Sequence, residues 1–276
     1  MIASPPLREV ITRHGLAARR ALGQHFLLDA NLTQRIVRAA GTLTGRHVVE
    51  IGPGPGGLTR ALLDSDAASV TVVELDQRAV AAMEELAAEA RGRLHVVAGD
   101  ALALDISLVS APRQVVANLP YNIATPLLIG WLRQARAFER LTLMFQQEVA
   151  ERICATPGTA AYGRLSILAQ WICRTQLLLH IPPAAFVPPP KVFSAVVGLV
   201  PHAMQPAPAL FAAMERLTAA AFGQRRKMLR RALKPIGGEA LLREAGIASD
   251  RRAETLSVAE FDRLARVLAT SDRQSP

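Results

Sequence analysis

The sequence is poor in cysteine, in aromatic residues and in long apolar runs. Its two cysteines, Cys154 and Cys173, stand in neither a C-x-x-C motif nor a His-rich stretch, which excludes a zinc ribbon, a dithiol redox centre and a disulfide-stapled scaffold. A reduced, cytosolic setting is the expectation. The longest apolar stretches, such as residues 126–131, fall far short of the about 18 residues needed to span a membrane. Residues 1–22 are interrupted by Pro5 and Pro6 and carry Arg8, Arg13, Arg19 and Arg20, so they hold no apolar signal-peptide core. Acidic residues are outnumbered, 23 against 32 Lys and Arg, which leaves a net charge of +9. That excess favours a polyanionic partner through long-range attraction and counterion release.

What the chain does have is apolar material. Half of its 276 residues are hydrophobic and 20% are charged, enough for a large core and incompatible with disorder. The length suits one large domain with a smaller appendage. Short β-branched runs at 47–52, 69–75, 94–98, 114–119 and 141–145 alternate with helical stretches at 31–40, 76–91 and 125–136. This alternation predicts a mostly parallel sheet covered on both faces, because the strands read as nearly continuous Val, Ile and Leu. Two further strands, 175–181 and 193–200, are separated by a proline-dense loop and are expected to pair antiparallel at the sheet edge. Composition shifts at 201–208, and helical periodicity follows at 209–222, 224–233, 238–245 and 257–268. We therefore expect an α/β domain over 1–200 and a small all-α domain over 201–276, the more basic of the two per residue.

The strongest local signal is Val48-Val49-Glu50-Ile51-Gly52-Pro53-Gly54-Pro55-Gly56-Gly57-Leu58-Thr59, a strand entering glycines and then a helix. Gly52, Gly54 and Gly57 satisfy G-x-G-x-x-G, and Glu74 lies about 20 residues on, placed to accept both hydroxyls of a ribose. Adenosine is implied, with NAD and S-adenosylmethionine both open. Two features favour the latter. Glu50 suits an ammonium better than a pyrophosphate at a helix N-terminus, and Pro53 and Pro55 remove N–H donors that a phosphate cradle needs. Asp100 ends the third strand, where it can accept from an adenine amine or simply cap a helix.

Asn118-Leu119-Pro120-Tyr121-Asn122 follows the fourth strand, at the carboxyl end of the sheet where ligands of such folds bind. An exocyclic aromatic amine is a poor nucleophile because its lone pair is conjugated into the ring. If the Asn118 side-chain oxygen and the Pro120 carbonyl each hold one N–H, the nitrogen is drawn toward tetrahedral geometry and its lone pair is aimed at an electrophilic methyl. Tyr121 would stack on the base, which must first be extruded from any structured nucleic acid.

The chain resembles the rRNA adenine N6,N6-dimethyltransferase family, most closely its bacterial small-subunit (16S) branch. The segments carrying the resemblance run from Gly23 to Leu268: Gly23-Gln24-His25-Phe26-Leu27, Glu50-Ile51-Gly52-Pro53-Gly54, Val73-Glu74-Leu75-Asp76, Asn118-Leu119-Pro120-Tyr121-Asn122, Gln147-Glu148-Val149-Ala150, Ala161-Tyr162-Gly163-Arg164-Leu165-Ser166, Phe186-Val187-Pro188-Pro189-Pro190-Lys191-Val192 and Phe222-Gly223-Gln224-Arg225-Arg226-Lys227. The resemblance implies a class I methyltransferase: a Rossmann-like, mostly parallel seven-stranded sheet with an antiparallel edge strand. It implies S-adenosylmethionine contacted by His25, Leu27, Gly52, Glu74, Asp100 and Asn118. Gln24, Glu50 and Gly54, in the same segments, complete the expected cofactor set. Phe186 is implied to join Tyr121 in sandwiching the target adenine, beside Asn118 and Pro120.

The substrate so implied is a pair of adjacent adenines in a hairpin near the 3′ end of 16S rRNA, each methylated twice, in an immature small ribosomal subunit met by a cytoplasmic monomer. No metal is called for. The macrolide-resistance branch matches less well at 161–166 and at Leu119. His25 stands where the family often has Asn, Gln147 where it often has Lys, and Phe193 where an acidic residue commonly follows. The expected RNA contacts are Arg19, Arg20, Arg225, Arg226, Lys227 and Arg230. Helical spacing of Arg226 with Arg230, and of Lys227 with Arg231, would align the cations in rows and turn Met228 and Leu229 inward. A non-catalytic ribosome-assembly factor on the same fold is the competing reading; a nicotinamide oxidoreductase leaves Asn118 to Tyr121 without a use.

Overall fold

The computed structural model describes residues 5–18 and 24–274. In chain order its elements are α1 (Leu7–Arg13), β1 (Phe26–Leu27), α2 (Ala30–Ala39), β2 (His47–Ile51), α3 (Gly57–Leu63), β3 (Ser69–Glu74), α4 (Gln77–Glu89), β4 (Leu94–Ala98), β5 (Arg113–Asn118), α5 (Ala124–Arg133) and β6 (Arg140–Gln146). There follow α6 (Gln147–Cys154), α7 (Arg164–Ile172), β7 (Cys173–Ile181), β8 (Phe186–Val187), β9 (Ser194–Pro201), α8 (Pro208–Gly223), α9 (Leu229–Ala232), α10 (Gly238–Glu244) and α11 (Val258–Gln274). None of these helices is long and apolar enough to cross a membrane.

Seven strands form one sheet in the order β4-β3-β2-β5-β6-β9-β7. The pairs β3–β4, β2–β3, β2–β5 and β5–β6 are parallel, and β9 runs antiparallel to β6 with β7 outside it at the edge. All six residues of β3 are buried, as a strand covered on both faces requires. The chain winds outward from β2 to β4 and then returns to lay β5 on the other side of β2. This reversal opens a crevice beyond the carboxyl ends of β2 and β5, and it determines where a ligand can sit. The helices begin where the sequence supplies caps: Asp29 accepts from the Asn31 N–H at 2.8 Å for α2, and Asp76 from the Arg78 N–H at 3.2 Å for α4.

A second, two-stranded ladder has no counterpart in the sequence expectations. β1 pairs antiparallel with β8, Phe26 opposite Val187 and Leu27 opposite Phe186. β1 also lies on the glycine loop. A side chain at Gly57 would start 2.2 Å from the Leu27 carbonyl oxygen, and one at Gly54, whose φ is +55°, would start 2.8 Å from the Phe26 ring. These two glycines therefore seat the protein's own strand, where the sequence had suggested only the approach of a ligand. Upstream, α1 is tied to α4 by His14, whose Nε2 lies 2.8 Å from Glu85 Oε2, and by the Arg13–Glu85 ion pair.

The chain divides into two compact units. One comprises residues up to Ala150 with Gln176–Val200; the other comprises Glu151–Thr175 with the chain from Pro201 onward. The expected boundary at 200 thus misses a segment. Residues 151–175 join the helical unit because α7 packs there: the Trp171 ring meets Phe211 at 6.0 Å in a tilted contact and donates its indole N–H to Asp262 at 2.9 Å. Tyr162, fully buried, donates to the Leu256 carbonyl at 2.9 Å, and its ring meets Phe222, which in turn stacks on Phe261. α11 begins with a reciprocal cap, in which Glu260 accepts from the Ser257 N–H at 2.8 Å while Ser257 Oγ accepts from the Glu260 N–H at 3.2 Å.

The seating of β1 gives a direct expectation. Gly57→Ala must displace a backbone carbonyl, so it should cost about 1–3 kcal/mol, as overpacking of a closed site does. Urea denaturation measures this, and an unchanged midpoint would contradict the close packing of β1 on the loop.

Candidate functional site

At the reversal point β2 delivers Glu50 and the glycine loop, β3 delivers Glu74, β4 leads to Asp100, and β5 delivers Asn118 and the turn through Tyr121. These residues line one cleft with Gln24, His25 and Leu27 of the β1 segment and with Gly52, Gly54 and Pro120. All the expected cofactor residues are thereby brought together. Gly52 lies against the Pro120 ring, where an added methyl would stand 3.4 Å from Pro120 Cγ, so the glycine loop and the Asn118–Tyr121 turn form adjoining walls.

Asn118 carries the most informative contact. Its side-chain N–H donates to the carbonyl of His25 at 3.2 Å, which commits Nδ2 to the β1 segment and leaves Oδ1 as an acceptor. The Pro120 carbonyl accepts from the Ile123 N–H at 3.1 Å and, with two lone pairs, retains capacity for one more donor. His25 Nδ1 lies 2.8 Å from the Pro188 carbonyl, so one residue links the Asn118–Tyr121 turn to the proline loop.

Two buried carboxyls dominate the electrostatics. Glu50 is 2% exposed and accepts from the Thr59 hydroxyl at 2.7 Å. Burial pushes its carboxyl from 4.5 up to about 8; the Thr59 bond opposes the shift and the Glu74 charge adds to it. Glu74 is held by three backbone N–H groups: Leu75 at 2.8 Å and Asp76 at 2.9 Å on one oxygen, Gly54 at 3.3 Å on the other. Burial raises it despite these donors. Its orientation is fixed, and a carboxylate has lone pairs to spare for two hydroxyls. Asp100 caps the turn that follows β4, accepting from the Leu102 N–H at 2.9 Å, while its exposed side chain also borders the cleft. Gln24 donates to Asp76 at 3.2 Å, and the Arg78 guanidinium beside Asp76 holds that carboxyl down at about 2.

Tyr121 is half-buried; its hydroxyl lies 2.7 Å from Ser194 Oγ, and its ring is 5.7 Å from the His25 imidazole. Ser194 is a contact the sequence reading missed, since no motif announces a serine at the start of β9. Phe186 is placed differently from Tyr121. It is 2% exposed, does not line the cleft, and presents a T-shaped contact to His25 at 6.4 Å. Pairing with Leu27 in the β1–β8 ladder turns its side chain into the core, while its neighbour Val187 faces out.

The basic segment is corrected as well. Residues 224–228 are not helical: the Lys227 N–H turns back to the Gln224 carbonyl at 2.8 Å, and Met228 is extended, so the helix starts only at Leu229. The cations therefore do not form helical rows, and Met228 is 40% exposed while Leu229 is fully buried. Arg225 spends its guanidinium on the Ala160 carbonyl at 2.7 Å, whereas Arg226, Lys227, Arg230 and Arg231 are exposed. Arg19 and Arg20 lie outside the described residues.

The Glu50 carboxyl makes stability pH-dependent in a defined direction. Because its folded value lies above its unfolded one, its contribution is full below about 4.5 and is lost as pH rises through about 8. Glu50→Gln should flatten the fall in unfolding free energy between pH 5 and 8. Parallel slopes for variant and wild type in urea melts across that window would contradict the assignment.

Comparison with known proteins gives this cleft its setting. The family described as ribosomal RNA adenine dimethylase matches residues 15–270. The chain is 64% identical over 267 residues to the ribosomal RNA small subunit methyltransferase A of Gluconobacter oxydans, covering 96% of this chain and 88% of that protein. It is 58% identical to the protein of the same name from Paramagnetospirillum magneticum, covering 96% and 95%. Among solved structures, a dimethyladenosine transferase from Plasmodium falciparum superposes with a TM-score of 0.71 at 27% identity, over 87% of this chain and 96% of the other. The 23S rRNA methyltransferase ErmE superposes at 0.65 and 27% identity, over 88% and 99%. The fold is that of the class I S-adenosylmethionine-dependent methyltransferases, and with the family match spanning nearly all of its length, the chain belongs to the ribosomal RNA adenine dimethylase family.

Proposed function

We propose that this chain uses S-adenosylmethionine to dimethylate adenine N6 in small-subunit rRNA, and that the observation carrying the reading is the Asn118 side chain pinned by the His25 carbonyl. The cleft fits the cofactor chemically. A buried Glu50 that stays protonated without a counter-charge suits an ammonium, and Glu74, aligned by backbone N–H groups, suits a ribose. Gln24, His25, Leu27, Gly52, Gly54 and Asp100 line the remainder. The cofactor supplies an electrophilic methyl on a sulfonium. The chain's part is to hold the amine: in the first transfer Asn118 Oδ1 and the Pro120 carbonyl take one N–H each, in the second one of them takes the single N–H that remains, the proton each methyl displaces passes to water, and Tyr121 stacks on the extruded base. No side chain needs to act as a base, and the Tyr121 phenol, raised by burial and engaged with Ser194, stays protonated at neutral pH.

The finer reading has a cytoplasmic monomer acting on an immature subunit, at two adjacent adenines in a hairpin near the 3′ end of 16S rRNA. Phe186 would complete the sandwich only after leaving its core position. Phosphate contacts fall to the exposed Arg226, Lys227 and Arg230, and Arg225 acts as a brace through the Ala160 carbonyl.

Asn118→Ala should lower single-turnover transfer at saturating cofactor by roughly 100-fold or more, the scale of one oriented transition-state hydrogen bond; near-normal transfer would overturn the mechanism. Neutralising Arg226 and Arg230 to Gln should weaken binding to small subunits and reduce the salt slope by roughly one unit per lost phosphate contact, leaving cofactor affinity intact. An unchanged slope would return these residues to solvated surface.

A further inference from the structure

The Tyr121 ring is held at its far end by a hydroxyl that belongs to a different strand. Tyr121 lies on the turn after β5, and its phenol oxygen is 2.7 Å from Ser194 Oγ. Ser194 opens β9, opposite Gln146 in the antiparallel pairing with β6, so it stands at the carboxyl end of the sheet beside the cleft. It is fully buried, and its backbone is fixed by the ladder. A tyrosine on a turn can sweep its ring through two side-chain torsions; a bond from the para oxygen to a strand-fixed hydroxyl removes that freedom.

We propose that Ser194 is a positioning residue that tethers the Tyr121 phenol and so fixes the plane on which the target adenine stacks. The assignment rests on the reading of Tyr121 as the stacking platform. Ser194 itself lines no part of the cleft and acts through the ring. The pair is a tether and not a proton relay, because a serine is no base and the phenol is held in its neutral form.

A double-mutant cycle tests this, with single-turnover methyl transfer at subsaturating small-subunit rRNA and calorimetric S-adenosylmethionine affinity as readouts. Ser194→Ala and Tyr121→Phe remove the same bond from opposite ends. Each should lower transfer roughly 3- to 10-fold, the range of one neutral hydrogen bond, and the double variant should be no slower than the slower single one. Cofactor affinity should not move. Multiplying effects, or wild-type transfer by Tyr121→Phe, would overturn the tether, and the latter decides the question even if Ser194→Ala folds poorly. Tyr121→Ala separates the two layers of the argument: impaired transfer there with normal transfer in Ser194→Ala removes the tether alone, whereas normal transfer in Tyr121→Ala removes the stacking reading beneath it.

Discussion

The hydrogen bond from Asn118 to the His25 carbonyl is the constraint on which the site depends. An amide side chain can present either its oxygen or its nitrogen, and only the oxygen can hold an amine proton. The carbonyl decides the matter because it accepts and cannot donate. That carbonyl is in place only because β1 is, and β1 is held from both sides: by its ladder with β8 and by contact with Gly54 and Gly57, where any side chain would strike Phe26 or the Leu27 carbonyl. The glycines that read as a ligand loop thus serve the chemistry indirectly, by letting a strand of the same chain approach closely enough to orient a side chain on the adjoining wall.

The carboxyls of the cleft show the opposite economy. Burying Glu50 and Glu74 within one site opposes ionisation of both, and the fold tolerates this by surrounding Glu74 with backbone donors and giving Glu50 one hydroxyl. A cationic, hydroxyl-bearing ligand offsets the burial of these carboxyls, so the features that oppose their ionisation are those that favour such a ligand. Asp76 lies a few residues on, paired with Arg78, and stays ionised; its work is to cap α4 and hold Gln24.

The sheet strands were legible because each is a short, nearly uninterrupted apolar run, and periodicity needs no tertiary information to be read. The cleft residues were legible because they follow strands directly, where spacing along the chain fixes position at the carboxyl edge. What escaped depends on contacts remote in sequence. β1 and β8 are two residues each, too short for any pattern, and they form only because residues far apart in the chain pair, Phe26 with Val187 and Leu27 with Phe186. The inward turn of Phe186 follows from that pairing. Ser194 gained its role from a tyrosine far upstream. The basic stretch misled for another reason: its composition suits a helix, yet Met228 is extended and backbone bonds from Leu229 to Arg251 and from Arg230 to Ser249 anchor the segment elsewhere. Residues 151–175 carry no composition shift, and only the packing of Tyr162 and Trp171 reveals the unit to which they belong.

The central claim is that the Asn118 and Pro120 acceptors of this cleft direct two successive methyl groups to one atom, the exocyclic nitrogen of adenine, both holding an N–H in the first transfer and one holding the remaining N–H in the second. The most direct measurement is mass analysis of the nucleosides of small-subunit rRNA after reaction with the protein and S-adenosylmethionine. The account predicts N6,N6-dimethyladenosine as the accumulated product. Methylation at a ring nitrogen, on another base, or halted at the monomethyl stage with enzyme and cofactor in excess would contradict it.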